Sequence, residues 1–271
     1  MDITRFNTEV IPKLNQCREY LESISSKLGN KNSVVLVESQ GLFEDALYGL
    51  QRLLRKLPAN QGLDLILESH GGSIDVASAI ASLCRERFGQ LRVIVPFMAK
   101  SAATLVVLAA DERMLSCFTQ LGPVDPQVRH PQNPTMWFPA HSIKEALEQV
   151  EATKDKIVKT AMADKLDPFL IGAFRDAMAA AKQYVEEIVE RWQVDNKVDI
   201  VSAFTDKYKS HGYPIDTRVL QTLNVPFTLI PPDNEGIYDL HEICVDIVNQ
   251  DVDEGVLIMT KSEYLFMSGD F

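Results

Sequence analysis

The chain has 271 residues, 46% hydrophobic and 24% charged, which suits one sizeable α/β domain or two small ones. A formal net charge of −11 argues against nucleic acid as a partner, since neutralising phosphates needs a basic face, and it disfavours an anionic membrane surface. No cationic segment followed by an apolar run opens the chain, and the most apolar stretch, 102–110, is about half the ~20 residues a spanning helix needs, so a cytoplasmic protein without membrane insertion is expected.

The first thirty residues read as a helix, with Ile11, Leu14, Cys17, Tyr20, Leu21 and Ile24 at helical spacing and a stop at Gly29. A short β-branched run, Ser33 to Val37, reads as a buried strand. An amphipathic helix follows from Leu42 to Leu57, then a strand from Leu63 to Leu67. After the Gly71-Gly72 turn come a helix from Ile74 to Phe88, a strand from Leu91 to Val95, and a turn at Pro96 to Lys100. Ser101 to Ala110 is a short helix apolar on all sides and therefore buried. Arg113 to Leu115 is a fourth strand. Strands alternating with crossover helices imply an α/β fold whose sheet is mostly parallel, with helices on its faces. Beyond the proline-rich segment 123–139, two long helices are expected at His141–Lys165 and Pro168–Trp192, with a last β-prone run at Gly255–Met259. One domain spanning 1–271 is the expectation: an N-terminal helix (1–30), a core with the two turns (33–127), and a helical elaboration with a C-terminal segment (140–271). Cys17, Cys84, Cys117 and Cys244 are scattered with no C-x-x-C pair and read as small buried hydrophobes in a reducing compartment. No metal-ligand motif or phosphate loop is present, and neither metal nor cofactor is expected.

Two turns carry the chemistry, both at the C-terminal ends of expected parallel strands, the edge where open α/β sheets bind ligands. The first, Glu68-Ser69-His70-Gly71-Gly72-Ser73, lets a substrate approach the backbone and can aim amides at a developing negative charge. It can equally be a plain tight turn. The second, Ala99-Lys100-Ser101-Ala102, places a serine at the head of a buried helix, where it is either an N-cap or a hydroxyl beside an amide and a helix dipole.

Three segments, Ser69-His70-Gly71-Gly72, Ala99-Lys100-Ser101-Ala102 and Leu121-Gly122-Pro123-Val124-Asp125-Pro126-Gln127, together resemble the serine dehydrogenase proteinase family. That family belongs to the Clp/crotonase-like fold and is related to signal peptide peptidase A and the proteolytic subunit of Clp protease. His211-Gly212-Tyr213-Pro214-Ile215 is a weaker echo of it. The resemblance implies that Ser101 is a nucleophile and that the amides of Ala102 and of Gly72 or Gly71 form an oxyanion hole. It also implies a homo-oligomer acting on peptides or unfolded proteins. The N-terminal helix and the helical C-terminal region are candidate interfaces.

A serine hydroxyl needs a base within reach. The histidine of Clp proteases has no counterpart at the matching place. Relatives of signal peptide peptidase A use a lysine tens of residues downstream, and Lys144, 43 residues after Ser101, fits that separation. It would need burial or a neighbouring cation to act near neutrality. Lys154, Lys156 and Lys159 are lesser candidates, and His70 and His141 are the alternative bases. Lys100, as the neighbour of Ser101, is discounted, and His130, His211, His241 and Asp125 are read as structural or loop residues. Two further functions stay open: a crotonase-type acyl-CoA enzyme, and a catalytically inactive assembly or binding subunit.

Overall fold

The computed structural model describes residues 6–29, 32–130, 133–192, 194–251 and 255–268. The chain divides into two compact units, one formed by Met1–Leu121 with Pro214–Phe271, the other by Gly122–Tyr213.

The first unit holds helix α1 (Ile11–Leu28), strand β1 (Asn32–Glu38), α2 (Glu44–Leu54), β2 (Leu63–Glu68), α3 (Ile74–Phe88), β3 (Leu91–Val95), β4 (Met98–Ala99), α4 (Ala102–Ala109), β5 (Glu112–Leu115) and β6 (Gln120–Leu121). Its sheet has seven strands, and β1, β2, β3 and β5 are mutually parallel neighbours. Every residue of β1 and β2 is buried, as expected of strands covered on both faces. All eight residues of α4 are buried too, which is what an all-apolar helix requires. Left-handed glycines close α1 (Gly29, φ 79°) and α3 (Gly89, φ 75°).

From Pro214 the chain belongs again to this unit. It adds β9 (Ile215–Asp216) and, after a helical turn at Thr217–Thr222, β10 (Thr228–Leu229), which extends the sheet beside β5. A helix from Gly236 to Asp246 then leads to β11 (Gly255–Thr260) and β12 (Tyr264–Ser268). β11 pairs antiparallel with β1, so the sheet is mixed at that edge. The apolar stripe of α1 (Leu14, Cys17, Leu21, Ile24) is spent in this core, with Ile237, Leu240 and Cys244 of the 236–246 helix and Val35 and Leu257 of the sheet. It is therefore not a free interface face. Cys17 and Cys244 face each other with 3.6 Å between sulfurs, and burial pushes the Cys84 thiol up to about 12. Cys117, against expectation, is exposed, in the turn after β5.

In the second unit, β7 (Gln127–His130) and β8 (Asn133–Pro139) pair as an antiparallel hairpin inside the proline-rich segment. The helix expected over 141–165 is two, α5 (His141–Ala152) and α6 (Lys156–Ala163). The break is made at Asp155, whose extended backbone and side-chain carboxylate cap the amides of Ile157 and Val158. Next come α7 (Pro168–Val189), ending three residues before Trp192, and α8 (Lys197–Thr205).

Candidate active site

Ser101 stands between β4 and α4 with φ 49° and ψ −126°, a backbone state in which a residue with a side chain is strained. Its hydroxyl makes no capping bond to the helix, so the N-cap reading of this serine fails. The amides of Ala103 and Thr104 are taken by the Lys100 and Ser101 carbonyls at 2.9 Å each, and the Thr104 hydroxyl donates to the Ala99 carbonyl at 2.8 Å. The Ala102 N–H, at the head of the helix, takes no part in these bonds.

The glycine turn lies alongside. Ser69 and Ala99 form a parallel bridge, with the Ser69 amide bonded to the Met98 carbonyl (3.2 Å) and the Lys100 amide to the Ser69 carbonyl (2.9 Å). Gly71, at φ 118°, approaches Ser101 so closely that a Cβ on it would lie 2.6 Å from Ser101 Cβ and 3.2 Å from Ser101 Oγ. Gly72, at φ 130°, presses instead on Leu42, whose backbone N would lie 2.4 Å from an added Cβ. Each glycine is thus required by a different close approach.

The directions of the amides follow from the bonds around them. The Gly71 N–H donates to Ser69 Oγ at 3.0 Å, and the Gly71 carbonyl accepts from the Leu42 amide at 2.5 Å. Because the peptide is trans, its C=O and the following N–H are opposed, so the Gly72 N–H points away from Leu42. Of the two glycine amides named from the sequence, Gly71 is committed to Ser69, which leaves Gly72 as the better donor toward a ligand.

Beneath this turn lies a carboxyl group that sequence reading missed. Glu38, at the C-terminal end of β1, is 2% exposed. It accepts hydrogen bonds from the Gly41 amide, the Ser69 hydroxyl and the His70 amide, the last at 3.0 Å. Burial pushes its carboxyl up to about 7, against the lowering effect of those hydrogen bonds. The one available signal was an acidic residue directly after the apolar run of β1, at the ligand-binding edge of the sheet.

The basic candidates fall in different places. Lys100 Nζ reaches Gln120 Oε1 (3.1 Å) and the Leu121 carbonyl (3.4 Å), and burial lowers its pKa. The His70 side chain is exposed; its amide, not its ring, serves Glu38. Lys144 is exposed on the wall of a groove of about 550 Å³ in the second unit, with Glu145, Glu148, Arg175 and Lys209. The burial asked of it is not supplied within its own unit. Lys154, Lys156 and Lys159 are exposed as well. The side chains of His130 and His141 lie outside the described residues. His241 Nε2 sits 3.0 Å from Glu68 Oε2, within ion-pairing distance but off the hydrogen-bonding line. His211 Nδ1 is 2.8 Å from Oδ1 of the buried Asp125, which joins two of the motifs singled out in the sequence.

Among the described residues, no group of acidic, histidine or cysteine side chains is arranged to hold a metal ion, and no helix is long and apolar enough to cross a membrane.

An uncharacterized protein of Methanocaldococcus jannaschii, MJ0137, is 29% identical over 243 residues, covering 84% of this chain and 79% of that protein. A second from the same organism, MJ1495, is 27% identical over 194 residues, covering 71% of this chain and 60% of that protein. Among solved structures, ClpP1 from Listeria monocytogenes matches with a TM-score of 0.44 and 12% identity, over 76% of this chain and 95% of that one. The ClpP protease catalytic domain from Plasmodium falciparum matches at 0.45 and 11%, over 78% and 90%. The model of the ClpP-like SDH-type serine proteinases matches residues 43–259, and the chain belongs to that family of serine peptidases.

Proposed function

We propose that the chain hydrolyses peptide bonds by acyl transfer from Ser101. The observation that carries this reading is the contact between the Gly71 backbone and the Ser101 side chain, with the serine held at positive φ and its hydroxyl unused by the helix. Ser101 Oγ attacks the scissile carbonyl carbon while its proton passes to a base. The tetrahedral oxyanion is met by the Gly72 and Ala102 amides at the head of α4. The base returns the proton to the leaving amine, and water releases the acyl group from Ser101. No step needs a metal or cofactor.

Lys144 is our proposed base, on the strength of the family resemblance and its spacing from Ser101. An extended peptide would add to the edge of Gly72 that faces away from Leu42, where its backbone N–H and C=O are not used by the Leu42 bridge. Substrates are peptides or unfolded proteins, and the working form is a cytoplasmic homo-oligomer. Support for assembly comes from apolar side chains bared on the second unit, Ile157 at 82% and Phe169 at 90% exposure.

One observation favours a second reading, an inactive binding subunit: the exposure of Lys144. A casein-type unfolded substrate separates the two. We expect wild-type cleavage that Ser101→Ala abolishes; equal turnover by wild type and Ser101→Ala sinks the proposal, and binding without cleavage establishes the second reading.

A further inference from the structure

The Gly71–Gly72 peptide is held from two sides. On one, Gly71 C=O accepts from the Leu42 amide. On the other, Gly71 N–H donates to Ser69 Oγ, and the Ser69 hydroxyl donates to Glu38. Glu38 also takes the amides of Gly41 and His70, so one buried carboxyl group joins the turn after β1 to the turn after β2. Leu42, which grips Gly71 from the far side, directly follows the Gly41 that Glu38 holds. Both grips on the Gly71–Gly72 peptide therefore lead back to the same side chain.

We propose that Glu38 is a positioning residue: through Ser69 on one side and Gly41-Leu42 on the other, its carboxyl group sets the orientation of the Gly71–Gly72 peptide and hence the direction of the Gly72 N–H. The proposal rests on the reading of Ser101 as nucleophile only for its catalytic consequence. The hold on the turn stands on geometry alone. A carboxyl group suits the task because its two oxygens accept several donors at once. A carboxamide accepts on one side only and turns N–H donors against the other, so glutamine is a partial substitute. Alanine leaves the amides of Gly41 and His70 and the Ser69 hydroxyl without their buried acceptor.

The test uses the full chain and two readouts on wild type, Glu38→Gln, Glu38→Ala and Ser69→Ala. The first is amide hydrogen exchange, by mass spectrometry, of peptides covering 39–43 and 69–73. The second is the rate at which a fluorophosphonate probe labels Ser101. We expect exchange in both segments to rise at least tenfold in Glu38→Ala, with Glu38→Gln intermediate. Labelling should fall in the same order, also tenfold or more for Glu38→Ala, with thresholds on the scale of one lost buried hydrogen bond. Ser69→Ala removes one link while leaving the carboxyl group and its two amide donors in place; it should loosen 69–73 and spare 39–43. That variant keeps the proposal testable if Glu38→Ala does not fold. Unchanged exchange in all variants overturns the proposal, as does raised exchange with wild-type labelling. Wild type that protects both segments yet never labels at Ser101 sinks the nucleophile reading instead, while exchange still judges the role of Glu38.

Discussion

Replacing Gly71 with alanine probes the contact on which the site is built. The new Cβ would lie 2.6 Å from Ser101 Cβ and 3.0 Å from the Lys100 carbonyl oxygen, and that oxygen is backbone that cannot step aside. The φ of 118° adds strain of roughly 1–3 kcal/mol for a residue with a side chain. Overpacking adds about 1–3 kcal/mol more. The turn can relieve either only by drawing back from Ser101, which moves the Gly72 amide. Gly89→Ala is the matched control: its φ is 75°, but nothing lies within 4 Å of an added Cβ, so it should cost only about 1–2 kcal/mol of left-handed strain. Urea unfolding and fluorophosphonate labelling together read both consequences. Gly71→Ala should be the less stable variant and should label about 100-fold more slowly, the scale of losing one oxyanion donor. Gly89→Ala should label at the wild-type rate. If Gly71→Ala labels as fast as Gly89→Ala, the close approach of the two turns has no bearing on the serine and the reasoning fails.

Glu38 gives a prediction in pH. Burial raises its carboxyl from 4.5 to about 7 in the folded chain. The folded state therefore binds the proton more tightly, and this stabilisation, complete below pH 4.5, is lost as pH rises through 7. It amounts to roughly 3 kcal/mol. Glu38→Gln cannot titrate, so its unfolding free energy relative to wild type should climb by about that amount between pH 4.5 and 8; parallel stability curves would refute it. Removing the imidazole in His211→Ala takes a partner from the buried Asp125 carboxylate, for a loss of roughly 1–3 kcal/mol in denaturant unfolding. A double-mutant cycle with Asp125→Asn should show that the two effects do not add. Lys144→Ala should leave the melting temperature in place, since the side chain is exposed, yet lower peptide hydrolysis by about 10²–10⁴-fold if Lys144 is the base. Undiminished hydrolysis would assign the base elsewhere.

The longer parallel strands were legible because their signal is local: Val34–Val37 is a short uninterrupted apolar run, mostly β-branched, which suits a strand buried on both faces. The two turns were legible for the same reason, glycine pairs and small residues at strand ends. What escaped depends on partners far along the chain. β4, β6, β9 and β10 are two residues long and carry no periodicity of their own. The 127–139 hairpin hid behind prolines, which usually mark loops. The break at Asp155 hid inside a charged run that suits a continuous helix until the carboxylate turns to cap. Glu38 and Ser69 are 31 residues apart, and Asp125 and His211 are 86 apart, so neither pair shows in a pattern read residue by residue.

Peptide mapping of the fluorophosphonate-treated protein tests the central claim most directly. A single adduct on Ser101, absent from Ser101→Ala, is the predicted result. A modified hydroxyl anywhere else, or a wild-type chain that stays unmodified, would contradict it.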